Sequence, residues 1–205
     1  GYPVFNADDE AKNCMTEDKE LMHNVKTSFG EDMYDNGVLQ KEKLAKIVFN
    51  NSERLVELNT LVHPVVKQRF EEWCTQQTAE LVVKEAAILF ESDAHLGLDA
   101  VICVSATEKL RIERVHNRDE SSFAEIKSRI DKQMPQTKKE ELADFVVVND
   151  GEQLLLPQLI KCLKKWSNIS FAFPNYYRIT FSTIYNCRRG YFPISTVNHH
   201  VNMFV

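Results

Sequence analysis

The chain has 205 residues, 43% of them hydrophobic and 27% charged, with a formal net charge of −5. That length supports one α/β domain with a sizeable core and a small subdomain, and the composition excludes a disordered or fibrous chain. The negative balance speaks against nonspecific binding to nucleic acid or an anionic membrane, so any anionic ligand must be held by local basic clusters. No apolar run reaches membrane-spanning length and no basic-then-apolar leader opens the sequence. The five cysteines (Cys14, Cys74, Cys103, Cys162 and Cys187) are odd in number and widely spaced. They predict reduced thiols in a cytoplasmic protein, not a disulfide framework or zinc site.

In chain order, Gly1–Asp8 reads as a short apolar strand ending in polar residues, and an upstream segment is expected before Gly1. Asp9–Phe29 is predicted helical, with Leu21, Met22, Val25 and Phe29 on one stripe. Gly30 stops it, and Asp35-Asn36-Gly37 marks a tight turn. Lys41–Phe49 is a short helix with Leu44, Ile47 and Val48 inward. Ser52 is expected to cap the next helix, and a further one to begin at His63-Pro64, because proline suits a helix start. Residues 9–79 are therefore mostly helical.

Three continuous apolar runs follow: Leu81–Val83 extending towards Phe90, Asp99–Ser105, and Phe145–Asn149. Separated by helices, they predict a parallel sheet covered on both faces. Thr107 opens a helix through Arg118. Ser122-x-x-Glu125 is a capping box for a helix to Gln133, which Pro135 ends. A last helix runs from Gly151 to Trp166 and tolerates Pro157 near its start. Residues 168–205 hold no Asp, Glu or Lys yet nine of the twenty aromatics, so they read as a tail not evolved with the rest. The alternative is that the alternation in Tyr177–Tyr185 forms an added strand.

Several residues are placed where chemistry is done. Asp8 follows the first strand, the end of an open sheet where ligands bind. It either orients a hydroxyl for attack on phosphate or serves as a cap or first-turn acid of a helix. Arg111, Arg114 and Arg118 recur at three and four residues along one side of a helix, and arginine pairs with phosphate oxygens in bidentate fashion. The competing reading is a solvated face bridged by Glu108, Glu113 and Asp119. Glu91 ends an apolar run and is a candidate acid for binding a metal or positioning a ligand, or else a helix-start acid. His63 is either a ligand contact or a local hydrogen-bonding residue. Asn149-Asp150-Gly151 follows the last strand, where glycine lets backbone approach a flat base, or simply makes a turn capped by Asp150.

Pro3-Val-Phe-x-Ala-Asp8, Gly37-x-Leu39, Leu58-Asn59-x-x-x-His63-Pro64, Leu89-Phe-Glu91, Arg114-x-x-x-Arg118-Asp119, Gln133 and Ala143-Asp-Phe-Val-Val-x-Asn149-Asp-Gly151 together resemble dephospho-CoA kinases in order and spacing, from Gly1 to about Trp166. The resemblance implies a P-loop kinase-like parallel sheet flanked by helices. A helical substrate subdomain spans about 9–79, a helical lid about 107–135, and an atypical tail 167–205. It implies transfer of the γ-phosphoryl of ATP, with Mg2+, to the ribose 3′-hydroxyl of dephospho-CoA. Asp8, Arg114 and Arg118 are then the catalytic candidates. His63, Pro64 and Glu91 become substrate-binding, and Asn149, Asp150 and Gly151 nucleotide-binding.

Two departures stand out. Asn6 occupies a position where such enzymes often carry an acid. No G-x-x-x-x-G-K-[ST] occurs anywhere in the sequence, although that loop's amides, lysine and hydroxyl hold phosphates and Mg2+. Its strand would be central, so its absence predicts a gap beside Leu81–Val83 and Asp99–Ser105, an inactive chain, and a vacancy that a tail strand near Ile179–Ile184 is placed to fill. A non-catalytic nucleotide- or CoA-binding module and another P-loop small-molecule kinase are the alternatives, with Asn59-x-x-x-His63-Pro64 arguing against the latter.

Overall fold

A computed structural model describes residues 1–49, 51–170 and 177–183, with 166–170 and 177–183 given as backbone. The chain divides into two compact units, one spanning Pro3–Thr78 and one beginning at Ala79.

In the first unit, strand β1 (Val4–Asn6) leads directly into helix α1 (Ala7–Glu17), followed by α2 (Lys19–Phe29). The single helix expected over Asp9–Phe29 is thus two. Asp18 is extended, its N–H closes α1 on the Cys14 carbonyl, and its carboxylate accepts the Leu21 N–H at 2.8 Å as the cap of α2. One residue therefore ends one helix through its backbone N–H and starts the next through its carboxylate.

Strands β2 (Tyr34–Asp35) and β3 (Val38–Leu39) pair antiparallel across Asn36-Gly37, both at positive φ (48° and 82°) as such a two-residue turn demands. Helix α3 (Lys41–Phe49) buries Leu44 and Val48. The core of this unit gathers Cys14, Met15, Leu21, Val25, Leu58 and Val62, all almost fully buried. Phe5 packs edge-on to Phe70 at 5.1 Å.

Helix α4 runs unbroken over Ser52–Thr75 with Pro64 inside it, so no new helix begins at His63-Pro64. The reason is packing. Leu58, Val62, Val66 and Phe70 recur every fourth residue and stay buried past the proline. Pro64 has no N–H to give the Thr60 carbonyl, but it is exposed and water can serve that oxygen. The cap is Asn51, whose Oδ1 accepts the Glu53 and Arg54 N–H groups at 2.9 and 3.2 Å, and not Ser52.

The second unit contains strands β4 (Leu81–Ala86), β5 (Ala100–Ser105), β6 (Phe145–Val148) and β7 (Tyr177–Thr183). Its helices are α5 (Glu108–Asp119), α6 (Phe123–Asp131), α7 (Gln136–Leu142) and α8 (Leu155–Ser170). Within it the strands lie in the order β4-β7-β5-β6, every neighbouring pair parallel. The three apolar runs read from sequence are β4, β5 and β6. The helix expected from Gly151 starts instead at Leu155, and residues 184 and 185 of the expected tail strand lie outside the described residues.

The central position belongs to the tail. Val83 lies opposite Ile179, and Ile179 opposite Ala100 on the other side, so β7 supplies the backbone partner of both β4 and β5. The vacancy anticipated between those strands is filled by a segment almost a hundred residues further on in the chain. Below the sheet, Leu81, Ala100, Ile102, Val147 and Cys162 form one cluster with Leu159 and Leu163 of α8 packed on it. At the end of β6, the Gln158 amide accepts the Val148 N–H at 2.8 Å and donates to its carbonyl at 2.9 Å, standing in for a further strand residue.

Helix α7 was not expected from the sequence. The residue it turns inward is Lys139, fully buried, so its pattern shows no apolar stripe to read.

Candidate active site

In the second unit the predicted residues collect at the carboxyl ends of β5 and β6. The Asn149 N–H donates to the Ser105 carbonyl at 2.7 Å, carrying the β5–β6 pairing one residue past the strands. Thr107 caps α5 through the Leu110 N–H at 3.3 Å, which fixes the direction in which the arginines project. Arg114 reaches across to β6: its Nη1 donates to the Asn149 carbonyl at 2.8 Å and its Nη2 to Asn149 Oδ1 at 3.4 Å.

Asp150 caps the turn that follows. Its carboxylate accepts the N–H groups of Gln153 and Glu152 at 2.8 and 2.9 Å, and the Gln153 side-chain amide at 2.9 Å. Those backbone donors, the Gln153 one foremost, hold its carboxyl below the usual carboxylate range. Gly151 has φ +88°, and a Cβ there would stand 3.9 Å from Arg114 Nη2. The backbone conformation, more than the space, calls for glycine.

The three arginines do not work as one row. Arg118 grips Asp119 through Nε and Nη2 at 2.5 and 2.6 Å, the bridged-face arrangement weighed from the sequence. Arg111 is only 6% exposed and lines a cavity of about 550 Å³ with Ser105, Thr107, Gln133 and Gln136. Arg114 meets another predicted site residue, Asn149.

Glu91 lies in the turn segment beyond β4. It accepts the Lys139 ammonium at 2.6 Å and the Met134 N–H at 3.0 Å, and Lys139 also reaches the Ala87 carbonyl at 3.4 Å. Sequence reasoning missed Lys139. It is the most buried charge in the described residues, at 0% exposure, and it ties the base of α7 to the segment after β4. Beside it, Glu140 accepts the Ser105 hydroxyl at 2.6 Å and the Gln136 amide at 2.9 Å.

In the first unit Asp8 is a half-buried acid in the first turn of α1, two residues past β1. It is not the cap. Asn6 takes that role, its Oδ1 accepting the Asp9 N–H at 3.0 Å. The Asp8 carboxylate stands at the carboxyl end of a strand. His63 and Pro64 sit mid-way along α4. Among the described residues no three His, Cys, Asp or Glu side chains converge as a metal site. No described helix is long and apolar enough to cross a membrane.

The family model for dephospho-CoA kinase matches residues 1–154. A dephospho-CoA kinase of Bacteroides fragilis is 34% identical over 164 residues, covering 80% of each chain. One from Chlorobium chlorochromatii is 38% identical over 159 residues, covering 74% of this chain and 75% of its own. The crystal structure of TT1252 from Thermus thermophilus superposes with a TM-score of 0.71 at 30% identity, over 80% of this chain and 84% of that one. Dephospho-CoA kinase from Campylobacter jejuni does so with 0.55 at 25% identity, over 84% and 87%. By these measures the chain belongs to the dephospho-CoA kinase family.

Proposed function

We propose that the protein derives from an enzyme transferring the γ-phosphoryl of ATP to the ribose 3′-hydroxyl of dephospho-CoA, the final step of coenzyme A synthesis in the cytoplasm. The observation that carries this reading is the family match over residues 1–154. The local geometry is compatible with it. Asp8, in the first turn of α1 at the carboxyl end of β1, would accept or orient the 3′-hydroxyl proton as the oxygen attacks. Arg114, held half-buried on Asn149, would place a fixed positive charge where charge develops on the transferred group. Arg118 would exchange Asp119 for a phosphate oxygen, a swap between equivalent bidentate partners.

Asn149, Asp150 and Gly151 would border the adenine, with Gly151 admitting it close to backbone. His63, Pro64 and Glu91 would serve the acceptor. ATP is expected with Mg2+, which such sites hold through one or two protein oxygens together with the substrate phosphates. ATP and dephospho-CoA are the partners of this reading, with no part for nucleic acid or a membrane.

The sequence as given contains no G-x-x-x-x-G-K-[ST]. Without that cradle the β- and γ-phosphates lose their backbone donors, their lysine and their metal-binding hydroxyl, so the chain as given is proposed to be inactive or nearly so. The same fact supports a second reading, a nucleotide- or CoA-binding module without turnover.

The test is ADP formation with ATP and dephospho-CoA, on the chain as given and on a version preceded by a strand and phosphate loop. Turnover that requires both dephospho-CoA and the added loop supports the kinase. Ligand binding without turnover in either form favours the module, and turnover by the chain as given sinks the proposal of inactivity.

A further inference from the structure

The cavity beside Arg111 carries polar groups that the reading above does not use. Gln133 Nε2, Gln133 Oε1 and Gln136 Oε1 are all buried, and none has a hydrogen-bond partner among the described residues. Both residues line the same cavity of about 550 Å³ at the carboxyl end of β5. That volume is in the range of small-molecule sites. Buried amide groups without partners are costly, and their convergence on one cavity marks a place where a ligand supplies what the protein withholds.

The orphaned atoms define the ligand. Of the glutamine atoms one is a donor nitrogen and two are acceptor oxygens, so their complement needs an acceptor and more than one donor. A phosphate chain, acceptor-only when ionised, would satisfy Nε2 and set its oxygens against the other two. A secondary amide carries one N–H and one C=O side by side and matches both ends of Gln133.

The charge around the cavity agrees. Of the lining acids, Glu108 and Asp131 share Lys127, and Glu140 is engaged by Ser105 and Gln136. Arg111 is the one basic residue in the lining, so the three carboxylates outnumber the cations around them and the wall has no net pull on an anion. Its rim is also held in place, because Met134 is bonded to Glu91 and Glu91 to buried Lys139.

We infer that this cavity binds a neutral, amide-bearing chain, and that in a dephospho-CoA kinase its occupant is the pantetheine arm of the acceptor. This assignment of the occupant rests on the acceptor named above. Gln133 pairs with one amide of the arm, Gln136 Oε1 accepts from its second amide or its hydroxyl, and Gln133 is a substrate-specificity residue that touches no reacting atom.

The experiment uses the full chain with pantetheine and AMP as separate probes, followed by NMR of glutamine side-chain amides and by calorimetry. Pantetheine is expected to shift the Gln133 amide resonances in the unmutated protein, and AMP to leave them in place. Gln133→Leu removes the unpaired atoms, so it is expected to keep or raise the melting temperature. It should weaken pantetheine by about tenfold or more while leaving AMP affinity unchanged.

Pantetheine that does not bind, an unshifted Gln133 amide, or equal weakening of both probes by Gln133→Leu overturns the inference. Dephospho-CoA that binds without moving those resonances overturns it while leaving the acceptor reading intact. Pantetheine captured at Gln133 in a protein that ignores dephospho-CoA supports the cavity's chemistry and overturns the acceptor reading instead.

Discussion

Arg114 Nη1 donates to the carbonyl oxygen of Asn149 at 2.8 Å, joining the helix after β5 to the turn after β6. The bond spends a charged donor on a backbone acceptor that has left the strand ladder, and it sets the guanidinium against Gly151. Arg114→Ala is expected to destabilise the second unit by about 1–2 kcal/mol, the low end for a charged donor because the pair is only half withdrawn from solvent. Arg114→Lys should keep the charge and recover less than half, since an ammonium cannot reproduce the fork. Urea unfolding of both variants measures this, and equal stability of all three proteins would refute it.

Lys139 and Glu91 predict an asymmetry. Glu91→Gln leaves a fully buried ammonium facing a neutral amide and should cost about 2–4 kcal/mol, discounted because Glu91 is 22% exposed. Lys139→Met removes the buried charge itself and lets Glu91 turn to water, so its cost should be smaller, about 1 kcal/mol or none. Denaturant midpoints decide. A larger loss for Lys139→Met would mean that the ammonium's bonds outweigh its desolvation.

Burial pushes the Cys14 thiol up to about 11 and the Tyr34 phenol up to about 12. Both groups hold their proton longer folded than unfolded, so between their ordinary values, 9.0 and 10.0, and those raised ones the folded state binds more protons. Stability of the first unit is therefore complete below about pH 9 and falls as pH rises towards 12. The Tyr34 hydroxyl donates to the Met15 carbonyl at 2.7 Å, a bond that ionisation would abolish. Tyr34→Phe should flatten the upper part of that decline, and a pH series of melting curves would show it. Cys14 in the native protein should resist a thiol reagent at pH 8 until the chain unfolds.

Pro64 stands in the interior of α4. Pro64→Ala restores a donor to the Thr60 carbonyl and should raise the stability of the first unit by about 1–3 kcal/mol. If the proline serves the acceptor, as proposed, the same variant should bind dephospho-CoA less well, the exchange expected where function keeps a weak spot. A stabilised variant with unchanged binding would remove Pro64 from the site.

The sheet makes the strongest demand on the tail. Strand β7 is the partner of both β4 and β5, so a chain ending after Ser170 would leave two facing rows of backbone groups unpaired in the middle of the second unit. Truncation there should abolish cooperative unfolding of that unit and promote aggregation. Hydrogen exchange over Tyr177–Thr183 in the full chain should be as slow as over β5. Rapid exchange in the tail with β5 protected would contradict the pairing.

Much of this was legible in sequence because it rests on local signals. The runs that became β4, β5 and β6 are apolar on both faces, Ser122-x-x-Glu125 does form a capping box, and Asn36-Gly37 does turn a hairpin. What escaped was settled by tertiary packing. Pro64 looked like a helix start because proline's local cost is large, yet the buried stripe from Leu58 to Phe70 outweighs it. Helix α7 hides its inward residue because that residue is a lysine whose partner, Glu91, lies far back in the chain. The spacing of Arg111, Arg114 and Arg118 fits the one helix they share, α5, but does not give the separate partners of Arg114 and Arg118, Asn149 and Asp119.

The most direct test of the central claim is to locate the phosphoryl group itself. The version carrying a strand and phosphate loop before Gly1 would be incubated with dephospho-CoA and γ-labelled ATP, beside its Asp8→Asn variant. The account predicts label on the ribose 3′-oxygen, and a loss in the variant of about a hundredfold or more in turnover with ATP binding unchanged. Label on any other atom, or full turnover by Asp8→Asn, would contradict it.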